Sequence, residues 1–321
     1  MRRPMDGGRK RTRRLVRLCC IGVACVVSAC GDGQDAPTSV NITALPIEPT
    51  ALAFYAKERG FFSREGIDAK ITVINDPQQA PAAVLSGTAV FSSFSVSGLA
   101  VLKARSAPVR LVAAGALYAP EAPTTALVSA KGKRIRRAGD LVGKTIAIDA
   151  PNTPAHIGLK RWLKRNGVEP RDAHVIEMGA FPQMLGPLSR GRVDAAVMPE
   201  PFLTLALQQG ATRVAPIFDA VCAQYCLATV WMARRDVDPD LAARFRNAIQ
   251  AAAVWANQEE NERASGAILA KYSELEPALI AEVTRTRFAT RLLPESAQPW
   301  IDVYAEFGVI PSPFPATDLT K

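Results

Sequence analysis

The sequence predicts an α/β protein with two lobes, each a mainly parallel sheet flanked by helices. Three observations support this prediction. Residues 40–95 show a strand–helix–strand–helix–strand pattern, residues 144–201 repeat it, and the last third of the 321-residue chain is helical. Strands that alternate with helices of this length form parallel sheets through right-handed crossovers. One continuous doubly wound domain is the alternative arrangement.

Both copies of the pattern contain the same five elements. The first copy consists of VNITALPIEPT, ALAFYAKERGFFSREG, IDAKITVI, QQAPAAVLSG and TAVFSSFS, and the second of KTIAIDAPNTPA, HIGLKRWLKRNG, AHVIEM, FPQMLGPLSRG and RVDAAVMPEP. Alternating apolar residues indicate the strands, and helical spacing of apolar residues indicates the helices. Corresponding landmarks keep a nearly constant separation: 104 residues from Asn41 to Thr145, 101 from Gly66 to Gly167 and 104 from Gly87 to Gly191.

The C-terminal third is predicted to be three helices, within DVDPDLAARFRNAIQAAAVWANQ, EPALIAEVTRTRF and ESAQPWIDVYAEFGVI. Asp238 is placed to cap the first helix, which carries an apolar face of Leu241, Phe245, Ala248, Ala252 and Trp255. Since the first sheet still needs a cover, we expect the chain to return to it. APEAPTTALVSA and DAVCAQYCLATVWMARR are then the two connections between lobes. The expected domains are a linker (30–39), a first lobe (40–122 and 229–321) and a second lobe (123–228).

The N-terminus reads as an export signal. A basic stretch precedes an apolar run from Leu18 to Val27 that is too short to span a bilayer, and Ser28-Ala29 precede Cys30. The VSAC end resembles a bacterial lipobox, which implies cleavage of residues 1–29 and a lipid anchor on Cys30. An ordinary secretory signal cut elsewhere is the alternative. TRRLVRL loosely resembles a twin-arginine signal, so the export route stays open.

Removal of this segment changes the charge balance. The full chain has 39 basic and 30 acidic residues. Residues 1–29 contain eight of the basic residues and one of the acidic residues, so the net charge of the mature chain is near 31 − 29 = +2. Outside the signal, the KGKRIRR run at 131–137 is the one polybasic stretch, and it reads as a solvated loop. Nothing here indicates a nucleic-acid partner. The mature length of 292 residues suits two ordinary domains.

Two cysteines remain after processing, Cys222 and Cys226. An oxidising compartment favours a disulfide between them. Two free thiols are the alternative, because a four-residue spacing on a regular helix holds the sulfur atoms awkwardly. The chain's histidines are His156 and His174, and neither is near enough in sequence to complete a metal site. We therefore expect no metal and no cofactor.

The strand ends supply the candidate ligand contacts. In open parallel sheets, ligands lie beyond the carboxyl ends of the strands, near the helix N-termini that follow. The polar residues at or near these ends are Glu48, Thr50, Ser92, Ser93, Ser95, Asn152, Thr153 and Glu200. Such groups bind a small solute by hydrogen bonds without reacting with it.

Four segments resemble the substrate-binding proteins of ABC transporters of the nitrate, sulfonate and taurine type, a group that includes thiamine-precursor binders. These are PTALAFYAKERGFFSREGIDAKI, DLVGKTIAI, LSRGRVDAAVMPEP and YAEFGVI, and they occur in the family's order across the mature chain. The resemblance implies the type II periplasmic-binding fold. It also implies a receptor that captures a small solute between its lobes and delivers it to a membrane permease. GTAVFSSF lacks the aspartate that the family commonly has at this point.

The resemblance also implies where and how the protein acts. We expect an exported monomer on the periplasmic side of the membrane, held there by its lipid alone. Glu200 matches the family's acidic residue before proline that faces the cleft, and helix capping is its alternative role. His156 and Tyr225 are weaker candidates for the same cleft. Asp149 and Asp219 are predicted to cap turns, and Trp162, Trp231, Trp255 and Trp300 to pack mainly in cores.

A periplasmic enzyme acting on a small heterocycle is the rival interpretation. Glu48 and Glu200 are then an acid/base pair across the cleft. The sequence has no nucleophile elbow, zinc-protease or Walker motif to support it. The strand ends carry glutamates rather than arginines, which favours a solute with amine or ring N–H donors over a sulfonate or nitrate. Helix N-termini bind anions unaided, so the bare anion stays open.

Overall fold

Thirteen strands and eleven α-helices make up residues 36–321, the part of the chain that the computed structural model describes. The predicted export signal and the proposed lipid attachment at Cys30 lie outside these residues. The strands are β1 (Thr38–Ala44), β2 (Ile67–Val73), β3 (Phe91–Ser95), β4 (Val109–Ala114), β5 (Ala116–Tyr118), β6 (Thr125–Ser129), β7 (Thr145–Ile148), β8 (His174–Glu177), β9 (Ala195–Pro199), β10 (Thr212–Ala215), β11 (Cys226–Leu227), β12 (Thr229–Arg234) and β13 (Arg287–Phe288).

The helices cover the sheets and fill the C-terminal third. They are α1 (Leu52–Glu58), α2 (Phe61–Arg64), α3 (Gln79–Ser86), α4 (Val96–Ala104), α5 (Pro154–Arg165), α6 (Phe181–Ser189), α7 (Phe202–Gln208), α8 (Pro239–Ala256), α9 (Glu262–Ser273), α10 (Pro277–Ile280) and α11 (Gln298–Glu306). In the described part of the chain, no helix combines the length and the apolar character that crossing a membrane requires.

Two five-stranded sheets have the same design. The first has the order β2-β1-β3-β12-β4 and the second β10-β6-β9-β7-β8. In the first, β1 pairs in parallel with β2 and β3, and in the second β7 pairs in parallel with β8 and β9. One strand of each sheet, β12 or β6, runs antiparallel to both of its neighbours. The predicted duplication and the mainly parallel sheets are confirmed.

Both connecting segments contribute to a third, smaller sheet. Its order is β11-β5-β13, and both pairings are antiparallel. Strand β5 lies in the chain that leaves the first sheet, and β11 in the chain that returns to it. This sheet therefore links the two larger ones.

The first of the C-terminal helices packs against the first sheet and its helices, as predicted. Asp238 caps α8 by accepting a hydrogen bond from the Leu241 amide at 2.8 Å. Helix α8 buries Phe245, Ala248 and Ala252, and it packs against α1, α2 and β4. Helix α11 contacts both α4 and α5, so it spans the two halves of the fold. Trp231 and Trp300 are fully buried, whereas Trp162 and Trp255 are partly buried.

Two predicted helices differ from the structure in their extent, and one helix was not predicted. The first predicted helix is two helices, because Gly60 adopts a left-handed conformation (φ 71°) between α1 and α2. The predicted helix in EPALIAEVTRTRF ends at Ile280, and β13 follows it. Tertiary contacts keep residues 284–286 out of the helix. Helix α9 lies in a segment for which no element was predicted.

Candidate functional site: a cavity between the two sheets

A cavity of about 370 Å³ lies at the carboxyl ends of strands from both large sheets. From the first sheet it is lined by Leu45, Ile47, Thr50, Phe94 and Ser95, and from the second by Asp149, Asn152, Thr153, Val197 and Pro199. Tyr118 at the end of β5, Thr125 at the start of β6 and Thr229 at the start of β12 complete this part of the lining. The carboxyl ends of parallel strands are where α/β folds bind ligands, so this cavity is the candidate site.

Two predicted residues line the first-sheet side. The Thr50 hydroxyl donates to the Leu45 carbonyl at 2.7 Å and thereby closes the turn after β1. The Ser95 hydroxyl accepts a hydrogen bond from the Gly98 amide at 3.0 Å, which makes it the N-cap of α4. Both hydroxyls fix the loops that form this wall.

The second-sheet wall is the loop between β7 and α5. Thr153 caps α5, and its hydroxyl lies 2.7 Å from Asp149 Oδ1. Asn152 has a positive φ of 59°. Its amide donates to His156 Nδ1 at 3.0 Å, and its carbonyl accepts a hydrogen bond from the Tyr304 hydroxyl at 2.8 Å. The loop is therefore held from both sides.

His156 contacts the loop between β7 and α5 and does not line the cavity. Burial lowers the pKa of His156 to about 4. The imidazole is therefore neutral at physiological pH, with its Nδ1 lone pair directed to the Asn152 amide. His156 fixes the shape of the wall.

Asp149 is the buried charge of the cavity. It is 4% exposed and directly follows β7. Burial raises the pKa of its carboxyl to about 6, and the Asp76 carboxylate acts in the same direction, against the hydrogen bonds from the Thr153 hydroxyl and from the backbone amides of Ala150 and Asp149. The predicted turn-capping contact is present. The structure adds that this carboxylate lines the cavity.

Glu200 is fully buried and does not line the cavity. Its Oε2 accepts a hydrogen bond from the Thr204 amide at 3.0 Å, and its Oε1 accepts from the Thr204 hydroxyl at 3.0 Å and the Thr284 amide at 3.3 Å. The carboxylate thus caps the first turn of α7 and binds the C-terminal third. Burial raises its pKa, and these three hydrogen bonds oppose the rise.

Glu48 has a matching position in the first half. It is also fully buried, its Oε1 accepts a hydrogen bond from the Thr286 amide at 3.1 Å, and its Oε2 lies 3.3 Å from Arg285 Nη1. Burial raises the pKa of Glu48, and the Arg285 charge opposes this. The Glu48 amide also donates to the Glu200 carbonyl at 3.1 Å. Between them, the two glutamates hold the 284–286 loop, which explains why these residues are not helical.

The remaining predicted contacts lie away from the cavity lining. Ser92 bonds with Thr43 inside the first sheet, at 2.7 Å between their hydroxyl oxygens. Ser93 is buried on β3 and its hydroxyl has no hydrogen-bond partner within the described residues. Tyr225 is 50% exposed and donates to Glu121. Polarity at a strand end did not reveal which face of the strand each side chain would occupy.

The cysteine pair lies where the chain turns back toward the first sheet. Cys222 and Cys226 are joined by a disulfide, with their Cα atoms 5.9 Å apart. Cys226 begins β11, so the bridge is not on a regular helix. The geometric objection to bonding these two residues on one helix does not apply here.

Aromatic side chains form much of the cavity wall and were not predicted. They are Phe94, Tyr118, Phe181, Phe218 and Trp300. The Phe218 and Trp300 rings pack edge to face with their centroids 5.1 Å apart. The Phe218 and Tyr118 rings also pack edge to face, with their centroids 5.8 Å apart. Tyr118 also donates to Asp219, a second predicted turn residue. Trp300 comes from α11, far away in sequence, and only packing brings it to the site.

Comparison with models of protein families shows which family the chain belongs to. The model of the family described as NMT1/THI5 like matches residues 49–262, which is 214 of the 321 residues. The chain belongs to the NMT1/THI5-like family. This confirms the resemblance drawn from the four sequence segments. No curated protein is significantly similar to this NMT1/THI5-like chain.

Solved structures share the fold of this family member at low sequence identity. The alkanesulfonate-binding protein SsuA from Xanthomonas axonopodis pv. citri is 18% identical, with a TM-score of 0.71 over 89% of this chain and 98% of its own. The nitrate-binding protein NrtA from Synechocystis PCC 6803 is 13% identical, with a TM-score of 0.74 over 89% and 86%. These likenesses confirm the predicted type II periplasmic-binding fold.

The same fold also occurs in an enzyme. The desulfurization enzyme DSZB is 15% identical to this NMT1/THI5-like chain, with a TM-score of 0.65 over 88% of this chain and 96% of its own. Function therefore has to be argued from the site and not from the fold.

Proposed function

We propose that this protein is the solute-binding component of an ABC importer, which captures a small organic molecule in the cavity and delivers it to a membrane permease. The observation that carries the proposal is the cavity itself, whose walls come from strand ends of both sheets. A ligand there contacts both halves of the fold at once, so binding stabilises their closed arrangement. The solved relatives named as alkanesulfonate- and nitrate-binding proteins support the same role.

The polar lining is suited to binding. Thr50, Ser95, Asn152 and Thr153 are the predicted contacts that reach the cavity wall, and we propose them as ligand-binding residues. They offer hydroxyl and amide groups, which orient a solute by hydrogen bonds. The acid/base pair of the rival enzymatic hypothesis, Glu48 and Glu200, is engaged by backbone amides of the 284–286 loop instead.

Location follows from the N-terminal prediction. We propose export, cleavage before Cys30 and a lipid on Cys30 that keeps the protein, as a monomer, on the periplasmic side of the membrane. A receptor tethered in this way stays close to its permease. The domain boundaries given above and the delivery step belong to the same proposal.

Thermal unfolding of the purified mature protein against a solute library tests the proposed function. A ligand that binds only the folded state raises the melting temperature, and titration calorimetry then gives its affinity. We expect at least one solute to bind with 1:1 stoichiometry and to be recovered unchanged after prolonged incubation. Conversion of that solute to a product by the pure protein would instead support the enzymatic hypothesis.

A further inference from the structure

The cavity contains a buried negative charge that has no cationic partner. Asp149 is 4% exposed, and no side chain within residues 36–321 forms a salt bridge with it. Its hydrogen-bond partners are uncharged: the hydroxyl of Thr153 at 2.7 Å and the backbone amides of Ala150 and of Asp149 itself. Buried carboxylates are ordinarily paired, because an isolated buried charge is costly. Because the unpaired Asp149 carboxylate lies at the ligand cavity, we infer that its cationic partner is a group of the ligand.

The other charged groups near Asp149 do not neutralise it. Asp76, in the loop before α3, acts on Asp149 with the same sign. Arg105 is the cationic side chain on the described cavity lining, and it is exposed just beyond the C-terminal end of α4. His156 is neutral, and the positive charge of Lys160 acts on that histidine. The interior of the cavity is therefore negative.

The start of α5 is also unsuited to an anion. Helix N-termini attract anions through their free amides and the helix dipole. Here the N-cap hydroxyl of Thr153 already lies 2.7 Å from the Asp149 carboxylate. A sulfonate or nitrate at this helix start would meet the like charge of a buried carboxylate.

The aromatic wall complements a positive charge. Trp300, Phe218 and Tyr118 form a connected edge-to-face group on the cavity lining. Aromatic faces attract organic cations, most strongly when the site is dry, and they also cover the apolar part of such ligands. A carboxylate together with several aromatic rings is a combination suited to ammonium or amidinium groups.

We propose that the cavity binds an organic cation, with Asp149 as its charge partner and the aromatic wall around its apolar body. This proposal rests on the proposed solute-binding function and specifies the ligand class. It separates this protein from the relatives whose names state nitrate or alkanesulfonate binding. Protonated amines, amidines and quaternary ammonium compounds share the required charge.

A set of probes that carry one benzene ring, with nitrate as an inorganic anion, tests the proposal by titration calorimetry. The cations are benzylamine, benzamidine and benzyltrimethylammonium, the neutral compound is benzamide, and the anions are benzenesulfonate and nitrate. We expect at least one cation to bind ten times more tightly than benzamide, and the anions not to bind. Benzyltrimethylammonium lacks N–H donors, so its affinity relative to benzylamine separates charge from hydrogen bonding.

Two variants connect binding to Asp149. Asp149→Asn keeps the side-chain shape and removes the charge, so cation affinity should fall at least tenfold. Asp172→Asn makes the same change at an exposed aspartate of the second half and should bind as the wild type does.

The pH dependence of binding is a second test of Asp149. With Asp149 titrating near pH 6, wild-type affinity for the cation should be about tenfold weaker at pH 5 than at pH 7. The Asp149→Asn variant should lose this dependence.

The possible results separate the two proposals. Binding of benzenesulfonate, nitrate or benzamide in preference to the cations would overturn the cationic ligand class and leave solute binding intact. Cation binding that is unchanged in Asp149→Asn would remove Asp149 from the site. If the folded protein binds no probe and no member of the solute library, both the ligand class and the proposed function are contradicted.

Discussion

Three buried carboxylates near the cavity have different environments, and these environments determine their roles. Glu48 and Glu200 accept hydrogen bonds from backbone amides of the 284–286 loop, and Glu48 is also paired with Arg285. Asp149 accepts hydrogen bonds from the Thr153 hydroxyl and from nearby backbone amides, forms no salt bridge within the described residues, and lines the cavity. The first two carboxylates hold structure together, whereas the third is available to a ligand.

Asp149 should lower the stability of the ligand-free protein at neutral pH. Its folded-state pKa of about 6 lies above the ordinary value of 3.8, so the folded state binds this proton more tightly. The favourable contribution is complete below about pH 4 and is lost as the pH rises through about 6. Asp149→Asn should therefore be more stable than the wild type at pH 7.5, by on the order of 3 kcal/mol, and about equal to it at pH 4.

Urea unfolding at the two pH values measures this difference, and Asp172→Asn is again the exposed control. A gain in stability together with a loss of affinity is typical of a residue kept for function. Equal stability of Asp149→Asn and the wild type at both pH values would show that the buried charge costs nothing.

Glu200→Gln tests the structural role of the second carboxylate. The amide group of glutamine puts a donor where the Thr204 or Thr284 amide needs an acceptor. We expect the free energy of unfolding to fall by about 1 to 3 kcal/mol. Ligand affinity should stay within twofold, because Glu200 does not line the cavity. Glu177→Gln, at an exposed glutamate of β8, is the control. A loss of affinity without a loss of stability would return Glu200 to the ligand site.

At the scale of elements, short loops after the strands set the shape of the cavity. The loop after β7 is held by His156 from within α5 and by Tyr304 from α11. On the opposite wall, Ser95 caps α4, and the first turn of this helix brings Gly98 to the cavity lining. Each wall therefore depends on the start of one helix.

Gly98→Ala should damage the first-sheet wall. A Cβ atom at this position would lie 2.5 Å from the Phe94 ring and 2.8 Å from Ser95 Oγ. The ring must move, and overpacking of this kind costs about 1 to 3 kcal/mol. Because Phe94 lines the cavity, ligand affinity should fall as well. Gly139→Ala is the control, since a Cβ there meets nothing within 4 Å. Unchanged melting temperature and affinity in Gly98→Ala would contradict this packing.

The disulfide belongs to the connection between β10 and β12. Mass spectrometry of unreduced protein should show Cys222 linked to Cys226. Loss of a bridge that closes so short a loop should lower the free energy of unfolding by about 2 kcal/mol, in the double serine variant and in the reduced wild type alike. Complete alkylation of both thiols in unreduced protein from the periplasm would contradict the bridge.

At the scale of the whole molecule, a small sheet and one loop join the two halves. Strands β5, β11 and β13 pair across the connections, and the 284–286 loop is held by one glutamate from each half. Helix α11 contacts α4 on one side and α5 on the other. The two halves that supply the cavity walls are therefore joined at several places besides the chain connections.

Membrane attachment is the prediction that concerns the complete protein. Cys30→Ser should move the protein from the membrane fraction to the soluble periplasmic fraction, because the lipid needs the cysteine thiol. The fold should be unaffected, and thermal unfolding should match that of the wild type. Cys25→Ser is the control, since that residue lies in the predicted signal, which we expect to be cleaved off. Continued membrane association of Cys30→Ser would refute the lipid anchor.

The sequence alone determined the duplicated βαβαβ units and the family. Regular apolar spacing within each element and the repeated glycines are local signals, and the structure confirms the two sheets that they predict. The N-cap at Asp238 and the apolar face of α8 were predictable for the same reason. The cavity position was also inferred from topology, since strand ends of both sheets line it.

Only the tertiary structure decided which polar residues reach that cavity. Glu200 and Asp149 both follow a strand, yet one meets the Thr284 amide from a distant segment and the other lines the cavity. Trp300 arrives on a helix about 150 residues beyond Asp149. The EPALIAEVTRTRF segment has a helical pattern, but buried carboxylates bind the backbone amides of Thr284 and Thr286, and residues 284–286 are not helical. Local sequence sets an element's preference, whereas contacts between distant segments determine its final conformation and partners.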